Sequence, residues 1–147
     1  MPKLEAVVTL MKKKNKDIEY LFPYQFNIEE FKKISSLEPF SKDSIDFLDI
    51  LSKTLLSNIN TKLYPDVATF AFFCRKGNIV KLKDKYLRED NLRLGRGIIF
   101  HIAPSNVPVN FAYSLICGIL SGNTNIVRVP SKNFEQIKII INAIETI

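Results

Sequence analysis

The stretch from residue 97 to residue 131, GIIFHIAPSNVPVNFAYSLICGILSGNTNIVRVPS, indicates the fold class, because it places an apolar helix between two apolar strands. Residues 97–102 predict a strand that is apolar on both faces, as parallel strands covered by helices are. Pro108 predicts the start of the helix, Gly122 predicts its end, and residues 125–129 predict the next strand. The sequence therefore predicts one βαβ unit of an α/β domain.

The same region lacks charged residues. Between Arg96 and Arg128, 31 residues contain no Asp, Glu, Lys or Arg. A membrane span needs about 20 apolar residues in unbroken helix, whereas polar residues and prolines, among them Pro104 and Asn110, interrupt this stretch. Burial inside an α/β domain therefore explains the missing charges better than a membrane span does.

A second helix is predicted after the second strand. Asn133 and Gln136 are spaced like a capping box, and an apolar stripe continues to Ile144. The chain ends at Ile147, inside this helix. Two parallel strands alone would leave a large apolar surface uncovered, so we expect the sequence to be the amino-terminal part of a longer chain.

The residues before position 97 predict a strand hairpin followed by helices. Residues 6–10 and 18–22 are short apolar runs separated by polar residues, as in a hairpin. Ser41 predicts a helix cap, Pro65 a first helical turn and Gly77 a left-handed helix stop. The apolar stripe predicted for the first of these helices consists of Ile45, Leu48, Leu51, Leu55 and Ile59.

The formal net charge is +6, but basic and acidic residues are mixed along the chain. The one basic cluster, Lys12 to Lys14 with Lys16, has no aromatic residues spaced for stacking on bases, so it predicts a solvated turn. Nucleic-acid binding is the weaker alternative. The chain start lacks an apolar signal segment, and the two cysteines lie far apart, which favours a reducing cytoplasm.

Few residues are suited to metal or thiol chemistry. With one histidine and two distant cysteines, no metal site can be assembled. His101 lies within an apolar strand, which favours a hydrogen-bonded core histidine over a base or ligand. Cys74 and Cys117 have apolar neighbours in the sequence, which predicts buried and inert thiols.

Two motifs resemble those of a known family. The run Pro104-Ser105-Asn106-Val107-Pro108 resembles the proline-x-asparagine-x-proline loop of aldehyde dehydrogenases. Residues 122–131, GNTNIVRVPS, resemble their glycine-asparagine-threonine strand, which ends in lysine-proline-serine. The match is closest to the acyl-CoA and acyl-protein thioester reductases that supply long-chain aldehyde in bacterial bioluminescence, and it is strongest over residues 96–147.

The resemblance implies an α/β fold: the start of an aldehyde-dehydrogenase-like Rossmann-type parallel sheet, preceded by a mostly helical amino-terminal region. Residues 1–95 would form that region, with a possible strand hairpin, and residues 96–147 the truncated first βαβ unit of the cofactor-binding domain. The implied activity is NADPH-dependent reduction of an acyl-CoA or acyl-protein thioester to a long-chain aldehyde through a cysteine thioester. The full-length enzyme would be a homo-oligomer, and this part alone would be inactive.

Site residues follow from the same resemblance. Asn106 would be catalytic, because its side-chain amide would donate to the oxyanion formed at the acyl carbon. The nucleophilic cysteine would lie beyond Ile147. The residues implied in cofactor binding are the backbone of Ile102, Ala103, Pro104 and Ser105 and the side chains of Arg128, Ser131 and Lys132.

NADPH is favoured over NADH at that site. Arg128 stands where the family usually has a lysine, and Ser131 stands where NAD-preferring members often carry a glutamate. A glutamate would repel a 2′-phosphate, whereas Arg128 and Lys132 beside a hydroxyl can bind one.

Other interpretations remain open. Asn106 could merely shape a turn between two prolines, and Ser131 with Lys132 could be a solvated helix entry. The chain could also be a nucleotide-binding or interaction domain without chemistry, or an NAD(P)-dependent aldehyde dehydrogenase that runs oxidatively. The sequence beyond Ile147 would distinguish the first of these from a reductase.

Overall fold

One mixed sheet of four strands lies at the centre of the part of the chain that the structure describes. The structure is a computed structural model, and it describes residues 8–14, 17–23, 27, 29, 33–87 and 91–147. The strands are β1 (Val8–Lys14), β2 (Asp17–Phe22), β3 (Ile98–Ile102) and β4 (Thr124–Arg128). The prediction of an α/β fold class is therefore confirmed.

The strand order is β2-β1-β4-β3. β1 and β2 are antiparallel, which confirms the predicted hairpin, while β1 and β3 both pair parallel with β4. The sheet therefore has three parallel strands, and the expectation of only two was wrong. The third is β1, whose pairing with a strand more than 100 residues later cannot be deduced from local patterns.

The basic cluster lies in a strand and not in a turn. Lys12 to Lys14 belong to β1, so the turn predicted for them is wrong, and Lys16 lies outside the described residues. The register pairs Lys12 with Glu19 of β2. A lysine and a glutamate at facing positions of two antiparallel strands have complementary charges, which is compatible with strand pairing at charged residues.

Five helices and one 3-10 helix accompany the sheet in the described ranges. The helices are α1 (Lys42–Ser57), α2 (Pro65–Phe73), α3 (Lys76–Tyr86), α4 (Asn110–Leu120) and α5 (Glu135–Glu145), and the 3-10 helix is Ile59–Leu63. Helix α1 contacts each of the other four helices. Helix α4 packs on β3 and β4, and α5 packs on α1 and β2.

Helix α1 supplies much of the apolar core. Four members of its predicted stripe are buried, namely Ile45, Leu48, Leu51 and Leu55. The fifth, Ile59, is 75% exposed, because α1 ends at Ser57 and the chain turns into the 3-10 helix. The stripe therefore stops one turn earlier than its spacing predicts.

Local capping signals gave mixed results. The Ser41 hydroxyl accepts a hydrogen bond from the Ser44 N–H, which confirms the predicted cap of α1. Pro65 is the first residue of α2, and Gly122 follows α4 with a positive φ of 77°, so the predicted helix start and helix end are confirmed as well. Gly77 lies inside α3, so the predicted stop is wrong; the chain breaks between α2 and α3 at Cys74 and Arg75 instead.

The capping box predicted for α5 is also absent. The helix begins at Glu135 without a side-chain cap, so Asn133 is not its N-cap. The side-chain amide of Gln136 donates to the Asp66 carboxylate of α2 at 3.2 Å. This tertiary contact replaces the local bond that the spacing suggested.

Strand β3 is covered on one face only. Ile98, Phe100 and Ile102 are 43%, 51% and 66% exposed, whereas Ile99 and His101 on the opposite face are half-buried. The expectation that both faces are covered was wrong. β3 is an edge strand of the described sheet, and α4 packs against the face of Ile99 and His101.

Candidate functional site

The carboxyl ends of the three parallel strands meet at one edge of the sheet, where α/β proteins bind their ligands. Ile102 at the end of β3 pairs in register with Arg128 at the end of β4. Beyond that pair, the Ala103 N–H donates to the Arg128 carbonyl at 3.2 Å, and the Val129 N–H donates to the Met11 carbonyl at 2.9 Å. The fold thus brings the two segments that carry the sequence motifs side by side.

The loop after β3 presents Asn106 to solvent. Pro104, Ser105 and Asn106 are exposed, and the Asn106 side chain makes no hydrogen bond to any described residue. Its amide is therefore free to bind a ligand atom.

Helix α4 begins just after this loop. Its first residue is Asn110, two positions after the predicted start at Pro108, and no side chain caps its N-terminus. The Asn110 N–H donates to the Val107 carbonyl at 3.5 Å, and the Ala112 N–H donates to the Val109 carbonyl at 3.1 Å, so these N–H groups already have partners. The helix start contributes the partial positive charge of its dipole to the end of the loop.

The segment after β4 carries the candidate cofactor side chains. Arg128 is half-buried and forms no ion pair with a described residue, while Ser131 and Lys132 are exposed. Lys132 also lines a hollow of about 250 Å³, together with Lys12 of β1 and Lys138 of α5. Glu19 and Glu145 line the same hollow. The hollow therefore has charged side chains of both signs, with more lysines than glutamates.

The Gly122-Asn123 pair connects three segments. The Gly122 carbonyl accepts from the Leu37 N–H at 3.0 Å, and the Leu37 carbonyl accepts from the Gly95 N–H at 3.0 Å. The Asn123 side-chain oxygen accepts from the Arg96 N–H at 2.6 Å. A Cβ at Gly122 would lie 2.0 Å from the Leu37 carbonyl oxygen, so the close approach requires glycine. Sequence reasoning did not detect this structural role.

A buried asparagine holds the histidine of β3. The Asn125 side chain is fully buried; its amide donates to the Asn123 carbonyl at 2.7 Å, and its oxygen lies 3.0 Å from His101 Nε2. Since that oxygen is an acceptor, Nε2 carries the proton. The prediction of a hydrogen-bonded histidine is confirmed. Asn125 was not singled out from the sequence, although a polar residue in an apolar strand is a usable signal.

The chain was compared with protein-family models, with curated proteins and with solved structures. The family model described as acyl-CoA reductase (LuxC) matches residues 2–144. The chain belongs to the LuxC acyl-CoA reductase family. The searches of the curated proteins and of the solved structures found no match. The family assignment agrees with the resemblance that the two sequence motifs carry.

The two cysteines of this LuxC-family chain differ in their surroundings. Cys74 is fully buried, and burial raises the pKa of its thiol well above the ordinary range. Cys117 is exposed, so the prediction of a buried thiol was wrong for this residue. Residues adjacent in sequence point in different directions on a helix, and Cys117 lies away from the α4 face that buries Leu115 and Ile119.

The described ranges contain no cluster of three or more His, Cys, Asp or Glu side chains that could hold a metal ion. No helix in those ranges is long and apolar enough to span a membrane.

Proposed function

We propose that this chain is the amino-terminal part of an NADPH-dependent reductase that converts an acyl-CoA or acyl-protein thioester into a long-chain aldehyde. The observation that carries the proposal is the pairing of Ile102 with Arg128, which sets the loop that contains Asn106 beside residues 128–132 at the carboxyl ends of the parallel strands. Membership of the LuxC family supports the reaction class.

The proposed sheet is the beginning of an aldehyde-dehydrogenase-like, Rossmann-type cofactor domain. Three parallel strands with α4 as the crossover between β3 and β4 support this interpretation. Residues 96–147 would be its first βαβ unit, and residues 1–95 the region that precedes it. The free thiols of Cys74 and Cys117 agree with a reducing compartment such as the cytoplasm.

In the proposed reaction a cysteine thiolate attacks the acyl carbon, and the negative charge moves to the carbonyl oxygen. The tetrahedral species collapses, coenzyme A leaves as a thiolate, and the acyl group remains as an enzyme thioester. Hydride addition to that thioester and loss of the cysteine thiolate then give the aldehyde. Negative charge forms on the same oxygen in both steps.

Asn106 is proposed to donate its amide to that oxygen. The side chain is exposed, has no partner among the described residues and precedes the uncapped N-terminus of α4. A donor that is already oriented stabilises the charge in the transition state more than the neutral carbonyl of the substrate. This difference would raise the rate of both tetrahedral steps.

NADPH would supply the hydride when bound. The residues at the carboxyl edge fit this cofactor, because residues 129–134 contain no acidic side chain and Arg128 has no ion-pair partner in the described chain. The backbone of residues 102–105 would line the cofactor. Ser131 and Lys132, together with Arg128, would hold the 2′-phosphate by charge-assisted hydrogen bonds.

The nucleophile is proposed to lie beyond residue 147. Burial of Cys74 disfavours its thiolate, so this residue is a poor nucleophile. Cys117 is exposed, but it lies in the last turns of α4, whereas Asn106 precedes the first turn. Cys117 lies seven residues after the first residue of α4, about 10 Å along the helix, and Asn106 lies before that first residue. The thiol and the oxyanion donor are therefore too far apart to act on one acyl group.

Replacing Asn106 by alanine in the full-length enzyme tests the proposal. We expect turnover of acyl-CoA to aldehyde to fall roughly 10²- to 10³-fold, because one oxyanion donor is lost. NADPH affinity and thermal stability should change little. Asn110→Ala, which removes the same exposed side chain at the start of α4, is the matched control and should retain turnover. Near-normal single-turnover acylation and hydride transfer in Asn106→Ala would exclude Asn106 from the mechanism.

A further inference from the structure

Most of the excess positive charge of the chain lies in one segment. Residues 75–96 contain eight Lys and Arg and three Asp and Glu, whereas the rest of the chain contains 13 basic and 12 acidic residues. The segment includes α3 and the stretch that leads to β3. Five of the six excess positive charges therefore lie within 22 residues.

Four cations of this segment are exposed and form no ion pair with a described residue, namely Lys81, Lys85, Arg93 and Arg96. Lys81 and Lys85 are about one helical turn apart, on the side of α3 away from the buried Ile79. Arg93 donates one N–H to the Tyr86 carbonyl at 3.2 Å, which leaves its other donors available. These side chains can all bind anions from solution.

Large apolar side chains are exposed among these cations. Tyr86, Leu92 and Leu94 are 55%, 85% and 59% exposed. All three surround one opening together with Arg93 and Arg96, and the Lys85 ammonium group lies 5.2 Å from the centre of the Tyr86 ring. The four cations and the three apolar side chains therefore share one surface, called here the 81–96 patch. Exposed apolar patches with a polar rim mark protein or membrane interaction sites.

We propose that the 81–96 patch binds the surface of a bilayer that contains anionic phospholipids. Tyr86, Leu92 and Leu94 would enter the boundary between headgroups and acyl chains, while the four cations contact the lipid phosphates. Peripheral membrane binding depends on this combination of apolar burial and attraction to anionic lipids. Such binding lies outside the reductase reaction and does not depend on it.

The composition of the patch favours a bilayer over a macromolecule in solution. A bilayer needs no complementary shape, so a protruding side chain such as Leu92 can insert into it, and lysines such as Lys81 and Lys85 are depleted at protein–protein interfaces. Single-stranded nucleic acids bind by stacking bases on aromatic rings. Lys85 already lies over the Tyr86 ring, which leaves less of that ring available for a base.

Vesicle flotation tests the proposal on the full-length protein. One set of vesicles contains phosphatidylglycerol and phosphatidylethanolamine, and the other contains phosphatidylcholine alone. We expect the protein to float with the anionic vesicles at low ionic strength and to remain largely unbound with phosphatidylcholine. Salt at 1 M should release most of the bound protein, because it shortens the screening length to about 3 Å.

A pair of double variants tests the role of the cations. Lys81→Gln with Lys85→Gln should weaken partitioning to anionic vesicles roughly 30-fold, at about 1 kcal/mol for each charge near the surface. Lys33→Gln with Lys62→Gln removes the same net charge from exposed lysines outside the patch and should leave partitioning nearly unchanged. Circular dichroism checks that both variants are folded.

Leu92 tests the apolar half of the patch. Leu92→Gln should weaken partitioning at least about tenfold, because burial of a leucine side chain is lost. Ile59→Gln is the matched control, since Ile59 is 75% exposed but lies in the 3-10 helix. Leu92→Trp should bind at least as strongly as the wild type, because tryptophan is favoured at the membrane interface.

The outcome is distinguishable from failure of the proposed reductase function. Asn106→Ala should lose turnover but keep vesicle binding, whereas the double variant of Lys81 and Lys85 should keep turnover of acyl-CoA without vesicles. Absence of binding to anionic vesicles, or equal loss of binding in the two folded double variants, would overturn the membrane site. Binding to soluble polyglutamate with none to vesicles would also overturn it, because the partner would then be an acidic protein.

Discussion

Ser131 stands at a position where a single charge should change cofactor preference. It is exposed, follows the buried Val129 and Pro130, and precedes Lys132. If NADPH binds as proposed, Ser131→Glu in the full-length enzyme should raise the Michaelis constant for NADPH at least about tenfold more than that for NADH, because the carboxylate would repel the 2′-phosphate and the proposed charge-assisted hydrogen bond would be lost.

The control for this change is Ser57→Glu, which adds the same charge to an exposed serine at the end of α1. It should leave both Michaelis constants unchanged. An unaltered preference in Ser131→Glu would mean that the 2′-phosphate is bound elsewhere.

Individual residues were predictable where one local interaction decides the outcome. Ser41 caps α1 because its hydroxyl reaches the third residue beyond it, and Gly122 closes α4 because it can adopt a positive φ. Cys117 was not predictable from its neighbours, since exposure depends on which face of α4 packs against β3 and β4. The hydrogen bonds of Asn123 to Arg96 and of Asn125 to His101 were not predictable either, because they depend on which distant segments lie beside β4.

At the scale of elements, the close contact between α4 and β4 depends on Gly118. A Cβ at this position would lie 1.8 Å from the Asn125 side-chain oxygen and 3.0 Å from His101 Nε2. Gly118→Ala should therefore lower the free energy of unfolding by about 1–3 kcal/mol, as overpacked core positions do, although alanine favours the helix. Urea denaturation measures the loss.

Gly77→Ala is the matched control, because both glycines lie within helices. A Cβ at Gly77 meets nothing within 4 Å, so the substitution should stabilise the protein by about 0.5–1 kcal/mol. Equal stability of the two variants would show that α4 can move away from β4 at little cost.

The candidate site was predictable only in part at this scale. The order strand, loop, helix and strand follows from local apolar patterns and from Pro108 and Gly122. The joining of β1 to β4 does not, because pairing between distant segments leaves no signal in either one. The exposed face of β3 was not predicted, because an apolar run indicates only that both faces of a strand can be buried. Which segments pack on those faces depends on residues elsewhere in the chain.

At the scale of the whole molecule, the buried thiol of Cys74 links stability to pH. Burial raises the pKa of this thiol in the folded state, whereas in the unfolded chain it titrates near pH 8.5. Above about pH 8.5 the unfolded state therefore binds fewer protons than the folded state. The free energy of unfolding should fall as pH rises, by up to about 1.4 kcal/mol per pH unit from this group.

Cys74→Ala removes that contribution. Although the variant loses some stability at every pH, the difference between wild type and variant should shrink between pH 8 and pH 10. Chemical denaturation at several pH values under reducing conditions measures the difference. A constant difference over this range would mean that Cys74 ionises without unfolding of the protein.

The edge position of β3 has a consequence for the exchange of its amide hydrogens with deuterium. The Ala103 N–H is bonded to β4, and N–H groups alternate in direction along a strand, so those of Ile99 and His101 also point towards β4. Those of Phe100 and Ile102 point to the other side, where the described sheet has no further strand. Residue-resolved exchange should therefore alternate between slow and fast along β3. Uniformly slow exchange would mean that another segment pairs with this edge in solution.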